Sequence, residues 1–451
     1  MKEFQTVYLP IGVPTFHLES ARKEFRDCAA LLGRICSGTD SSCCVPEDIL
    51  LSLESLHAFM DELDPDLIIL QNVTFANAAY AQEVLHAFPN VPVVLWALRE
   101  PVIDGGRLRL NSLTGAFSAA NTIRQFRKEP LEFVFGSPKE ECVEQKLTAA
   151  VKAAKLRSAL SSLKLAAVGH TPQGFGFGRA LDAQMLETFG VRLESIEARE
   201  LIAKAKEYTQ EECQEYLEDA KARTVGLENT PERNRLDFAR LYKAYADYTK
   251  ENGIGALCSR CWPDFFTSFG TPVCTVLGIL NDLGVAASCE ADAYGALSMY
   301  MGMQLSEQPV FFGDPVSLDE EENSITFWHC GMAPCSLARQ DTGAVIGEHC
   351  NRHIGPTLEF GCRQESCVTI FRVGKAPDGS FRFFIAPGEA MDKDKQFSGT
   401  SAVVRTHASA REIVQKGVEG GWEPHFAVIY ADEADSLEML GHMLDLEVLR
   451  F

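Results

Sequence analysis

From its start to about residue 300, this chain alternates short apolar runs with longer helix-patterned stretches. A β-type run at Thr6–Val13 is followed by a helical pattern at Glu19–Ile35 and another at Asp48–Glu62. Pro65-Asp66 then introduces the strand Leu67–Gln71, and a helix at Ala76–Ala87 leads to the strand Val91–Trp96. Gly105-Gly106 breaks the pattern before helices at Ser112–Phe126 and Lys139–Leu163. A second round runs through the strand Leu163–Val168, a charged helical region at Ala198–Glu251, the strand Gly253–Cys258, a helix at Val273–Leu283 and the strand Val285–Cys289. Strands joined through helices run parallel, because only a long crossover brings the chain back in the same direction.

After about Gln308 the texture changes. Short alternating segments appear at Val310–Phe312, Ser324–Trp328, Thr357–Phe360, Cys367–Val373 and Phe381–Ala386. Pro377-Asp378-Gly379 between the last two predicts a hairpin turn. The chain closes with a strand at Phe426–Tyr430, a helix at Asp435–Leu444 and a strand at Glu447–Leu449. At 451 residues it exceeds one ordinary core. The expected class is α/β: two Rossmann-like parallel-sheet domains, 1–162 and 163–304, then a β-rich, barrel-like domain, 305–451.

The formal charge of −21 disfavours nucleic acid, whose binding needs clustered Lys and Arg. Apolar runs such as Leu67–Leu70 and Val91–Leu95 are too short to cross a bilayer, so no membrane partner is expected. The first residues, Met1 to Thr6, carry no apolar signal core, and a cytoplasmic protein is expected. The 15 cysteines are then reduced thiols. Cys258-Ser-Arg-Cys261 lacks a second ligand pair at zinc-finger spacing, so small buried thiols are the expectation there.

Three residues stand where strands end or begin. In Cys289-Glu-Ala-Asp-Ala-Tyr-Gly-Ala-Leu297, Glu290 follows an apolar segment and Asp292 is placed to cap the next helix. Asp314 ends the short apolar strand of Phe311-Phe-Gly-Asp314, and His425 opens the strand after Pro424. Two carboxylates and an imidazole suit a divalent cation: oxygen ligands favour Mg or Mn, and the imidazole also admits Co or Fe. His329, in Trp328-His-Cys-Gly331, can hydrogen-bond a ligand hydroxyl or simply pack. Trp262 and Trp96 can stack on a ligand or fill a core. The glycine-rich stretch Gly169–Gly178 is not a GxGxxG fingerprint; its tight turn lets backbone and Arg179 approach a substrate or a neighbouring surface.

These stretches together resemble the L-fucose/L-arabinose isomerase family, in a shorter form of the L-fucose isomerase type. The resemblance rests on Cys289–Leu297, Phe312-Gly-Asp314, Trp328–Gly331 and Pro424-His425, with weaker echoes at Cys261-Trp-Pro263 and Trp96–Glu100. It implies that Glu290, Asp314 and His425 bind a divalent metal, manganese foremost, with Glu290 and Asp314 also carrying protons. It implies an aldose–ketose isomerase working through a metal-stabilised cis-enediol. It also implies a symmetric homo-oligomer in which the first domain of one subunit helps to close a neighbour's site.

Arg260, Trp262, His329 and Arg179 are the candidate substrate contacts. Substrates in view are a neutral deoxyhexose or pentose, or a C6-modified hexose, including an anionic sulfosugar such as sulfoquinovose. An anionic C6 group must meet a basic side chain, for which Arg260, Arg179 and Arg352 stand in suitable loops. The rival reading is a non-catalytic sugar-binding protein with two α/β lobes. A nucleotide-dependent enzyme depends on the glycine-rich loop alone.

Overall fold

The computed structural model describes residues 3–451. In chain order the first elements are β1 (Gln5–Ile11), α1 (Leu18–Gly38), β2 (Ser42–Cys44), α2 (Leu53–Met60), β3 (Leu67–Asn72), α3 (Ala78–Ala87), β4 (Val93–Ala97), α4 (Ser112–Phe126), β5 (Glu132–Phe135) and α5 (Glu141–Leu160). Their strands form one parallel sheet in the order β2-β1-β3-β4-β5. β3 and β4 are buried along their whole length, as helices on both faces require. Trp96 belongs to this core: it is fully buried, and its Nε1 donates to the Gly136 carbonyl.

The next elements are β6 (Lys164–Val168), α6 (Asp182–Phe189), β7 (Arg192–Ile196), α7 (Ala198–Glu207), α8 (Gln214–Arg223), α9 (Glu232–Asn252), β8 (Ala256–Ser259), α10 (Cys274–Asp282), β9 (Ala286–Cys289) and α11 (Ala293–Ser306). A second parallel sheet has the order β7-β6-β8-β9. The chain leaves β6 to one side and returns on the other, so a crevice opens at the carboxyl ends of β6 and β8, where open α/β sheets bind ligands.

The third group comprises β10 (Phe311–Asp319), β11 (Ser324–His329), β12 (Ile346–Gly347), β13 (Thr357–Leu358), β14 (Phe360–Gly361), β15 (Glu365–Lys375), β16 (Phe381–Ala390), β17 (Thr400–Thr406), α12 (Ala410–Glu419), β18 (Phe426–Ile429), α13 (Ala434–Met443) and β19 (Glu447–Arg450). Eight of its strands follow the order β14-β17-β11-β10-β18-β15-β16-β19, and β17 also pairs with β16. That extra pairing closes the strands from β17 round to β16 into an antiparallel barrel, which removes their edges. The Pro377–Gly379 turn joins β15 to β16, with Gly379 at φ 87°.

The chain divides into two compact units. One runs through Ala159 and includes Asp435–Leu446; the other is Leu160–Ala434 with Glu447–Phe451. The second sheet and the barrel therefore share a unit. α11 explains this: its sequence has no polar face, and nearly every residue is buried. Ser298 Oγ accepts a hydrogen bond from the Val373 N–H of β15, and a Cβ on Gly302 would collide with Ile429 of β18. No helix among the described residues is long and apolar enough to cross a membrane.

The sequence reading differs from the structure at two places that matter for the site. Asp314 does not end its strand. β10 continues to Asp319, because Pro315 interrupts the ladder without stopping it: the register shifts by a bulge between Pro315 and Ser317. Arg179 does not begin a helix; it sits in extended backbone after a single turn at Gly176–Gly178, and α6 starts at Asp182.

Candidate active site

The site lies within the second unit, where β9, β10, β11 and β18 deliver their polar residues. β9 is fully buried and ends at Cys289. Glu290 and Ala291 then adopt left-handed backbone, φ 58° and 55°, which costs non-glycine residues about 1–3 kcal/mol each. Hydrogen bonds hold the bend: the Ala291 N–H donates to the Ser259 carbonyl and the Asp292 N–H to the Cys289 carbonyl. Asp292 then caps α11, accepting from the Gly295 N–H at 2.9 Å, as its position in the sequence suggests.

His425 is the hub. Its Nε2 lies 3.0 Å from Glu290 Oε2 and 3.4 Å from Asp314 Oδ1. Its Nδ1 lies 2.9 Å from Asp292 Oδ2. Behind Asp292 stands Arg372 of β15, donating at 2.6 and 3.1 Å to the two carboxylate oxygens. His425, Asp292 and Arg372 are sealed from solvent, whereas the Glu290 and Asp314 side chains keep 16% and 31% of their surface exposed. A buried relay thus supports two carboxylates that open toward a ligand.

His329, at the end of β11, joins this group. One of its ring nitrogens lies with ligand atoms of Glu290 and His425 inside a 4.8 Å cluster. Its Nε2 is buried and has no hydrogen-bond partner among the described residues. An orphaned imidazole nitrogen beside carboxylates fits a group that needs one more donor.

The environments push these groups apart. Burial works to raise the Glu290 carboxyl, but the hydrogen bond from His425 and the positive charge nearby hold it below its ordinary value. Asp292 is buried too, yet the Arg372 charge and the His425 bond hold it well below the carboxylate range. Burial pushes Asp314 up to about 6, outweighing His425, which favours charge here too, and helped by the Glu290 and Asp292 charges. Burial pushes His329 down to about 4. Burial also opposes charge on His425, but its bonds to Asp292 and Glu290 lift it to about 10.

The glycine-rich loop supplies an aromatic wall. Phe177 meets the His425 ring edge-on at 5.4 Å, and Phe175 lies 6.3 Å from Trp262 and 6.5 Å from His425. The approach demands glycine: a Cβ on Gly178 would stand 2.7 Å from the Asp292 Cα. Trp262 belongs to the site: its side chain helps hold the Glu290 carboxyl low, and its ring meets Phe175 edge-on.

Arg260 and Arg179 are turned to other partners. Arg260 Nε lies 2.9 Å from Asp264 and donates to the Trp262 carbonyl. Arg179 donates to Thr171 Oγ1 and lines a cavity of about 340 Å³ with Gly169, His170 and Glu197, which Gly178 and Ala291 line as well. Phe175, Phe177 and Arg372 escaped the sequence reading. The alternating glycines were the one signal for the first two, and nothing local marks Arg372.

The chain was compared with known proteins. No protein-family model matches it. A sulfoquinovose isomerase of Clostridium sp. (strain MSTE9) is 60% identical over 447 residues, covering 99% of both chains. This chain belongs to the sulfoquinovose isomerase family. Further members are the sulfoquinovose isomerases of Priestia aryabhattai, 36% identical over 451 residues and 99% of both chains, and of Alkalicoccus urumqiensis, 33% identical over 446 residues and 98% of both chains. The family is one of isomerases, so the chain is an enzyme, and a purely sugar-binding role is set aside.

Proposed function

We propose that this chain interconverts sulfoquinovose and its 2-ketose isomer, using a divalent cation held by Glu290, Asp314, His329 and His425. The reading is carried by one observation: two half-open carboxylates converge on a buried histidine in a chain 60% identical to a sulfoquinovose isomerase. The donor set fits a cation, since ligand atoms of Glu290, His425 and the unpartnered His329 lie within 4.8 Å of one another and Asp314 stands 3.4 Å from His425. The family resemblance favours manganese, and the mixed oxygen and nitrogen donors also admit Mg, Co or Fe. When bound, such an ion polarises the sugar carbonyl and lowers the cost of negative charge on its oxygen.

The protein's own groups do the rest. Isomerisation moves a proton between C2 and C1 and another between O2 and O1. Glu290 and Asp314, the two partly open carboxylates beside His425, are suited to carry these protons. Arg372 and Asp292 fix the His425 ring. Phe175, Phe177 and Trp262 exclude water from one side. The likeness to L-fucose and L-arabinose isomerases is part of this proposal, because the same motif residues make up the site.

The proposal includes a cytoplasmic homo-oligomer with sites near subunit interfaces. Apolar side chains exposed on the first unit support self-association: Ile103 is 94% exposed and Phe117 73%, and Val102 and Leu108 are exposed as well. The deciding experiment incubates manganese-loaded protein with sulfoquinovose in deuterated water and follows the sugar by NMR. Deuterium entering at C2 together with a new ketose supports the reading; an unchanged spectrum at high enzyme concentration rejects it.

A further inference from the structure

Around the site, the arginines differ in what holds them. Arg372 is consumed by Asp292, Arg260 by Asp264, and Arg179 donates to Thr171 in the cavity it lines. Arg352 has no carboxylate partner among the described residues. Its guanidinium rests over the aromatic faces of Trp262 and Phe266, 5.7 Å from each ring centroid. The loop that carries it is tied down: the His349 N–H donates to the Ile354 carbonyl, and the Arg352 and His353 N–H groups both donate to the His349 carbonyl. Arg352 is thus a positioned cation at an exposed rim, held by ring faces that leave its donors free.

Trp262 connects that rim to the chemistry. Its side chain helps hold the Glu290 carboxyl low, Phe175 packs against it from the His425 side, and Arg352 lies over its face. A ligand whose reacting carbons lie at Glu290 and Asp314 can run along this aromatic floor, and its far end then arrives at Arg352. The protein carries a formal charge of −21 and repels anions at large, so an anionic ligand needs a local cation to be accepted.

We infer that Arg352 is the specificity residue for the charged end of the substrate, its guanidinium pairing with a sulfonate on C6 across the Trp262 face. This rests on the proposed isomerase reading. A sulfonate offers three acceptor oxygens and stays ionised at every physiological pH, and a planar guanidinium matches two of those oxygens at once. The contact lies away from C1 and C2, so it selects the sugar without taking part in proton transfer.

The test compares wild type, Arg352→Met and Arg352→Lys on sulfoquinovose and on 6-deoxyglucose, the same sugar without the sulfonate, with manganese present. The expected result is that Arg352→Met lowers the ratio of kcat/KM for sulfoquinovose over 6-deoxyglucose by about tenfold or more, mainly through KM. Arg352→Lys should fall between, because it keeps the charge and loses the planar fork. A ratio unchanged in both variants, with wild type active on sulfoquinovose, overturns the assignment of Arg352 while leaving the isomerase reading intact. Wild type inactive on sulfoquinovose overturns that reading and this one with it. Should Arg352→Met fail to fold, Arg352→Lys alone decides: a ratio equal to wild type goes against Arg352, and a reduced ratio supports it.

Discussion

Arg372 grips Asp292 through two hydrogen bonds, Nη1 to Oδ2 at 2.6 Å and Nη2 to Oδ1 at 3.1 Å, and neither side chain reaches solvent. The same Oδ2 meets His425 Nδ1, so one carboxylate caps a helix, neutralises an arginine and orients the histidine that faces Glu290. Arg372→Met leaves a charged Asp292 buried without its partner. Breaking a buried pair this way costs about 3–5 kcal/mol. Urea denaturation should show a loss of that order, and a midpoint equal to wild type would mean that Asp292 is not held by this charge.

Glu290→Gln and Asp314→Asn keep size and one oxygen while removing basicity. Each should lower turnover by about 10²–10⁴ at saturating manganese, the usual loss for a general acid or base. Both side chains are partly exposed, so circular dichroism should report an intact fold. Near wild-type turnover in both variants would remove the proton-transfer roles.

His425 and His329 act differently, through cation affinity. His425→Ala and His329→Ala should weaken manganese binding measured by titration calorimetry, and excess manganese should partly restore turnover. EDTA should abolish activity, and manganese should return it. The bonds to Asp292 and Glu290 hold a proton on His425 up to about pH 10. A histidine must give up that proton to bind a cation, so binding should release protons and tighten as pH rises toward that value. Calorimetry in buffers of different ionisation enthalpy measures the release directly; pH-independent binding with no proton released would contradict it.

In the first unit, His442 Nδ1 lies 2.6 Å from Glu132 Oε1, and this hydrogen bond raises the histidine's pKa. Folding therefore favours its protonated form. The stabilisation is fully present below the ordinary histidine value of about 6.5 and fades as pH rises through the raised value in the fold. Glu132→Gln should lower Tm more at about pH 5.5 than at about pH 9. An equal drop at both would show that the pair does not titrate across this range.

Much of the fold was legible because it is local. The strand of Leu67–Asn72 and the helix of Ser112–Phe126 are written in the spacing of their own apolar residues, and Pro377-Asp378-Gly379 dictates its turn over a few bonds. The sequence also singled out Glu290, Asp314 and His425, each open to a neutral reading by itself and marked by the strand-end motifs shared with L-fucose/L-arabinose isomerases; the fold brings the three together. Asp314 shows the limit of that reasoning. Pro315 reads as a stop, but cross-strand pairing with β11 carries β10 past it through a bulge.

Tertiary structure alone decided what surrounds those three residues. Arg372 lies 80 positions from Asp292, and His425 lies 133 from it, so no window of the sequence contains the relay. Inside β15, Arg372 reads as a residue for solvent; it is sealed because α11 packs over that strand and brings Asp292 to it. Phe175 and Phe177 read as loop aromatics, and they reach His425 only because Gly178 lets the backbone close on Asp292. Periodicity fixes which face of an element is apolar within a few residues. Which polar groups meet is set by how those faces stack, and a charge can be buried only where another element delivers its partner.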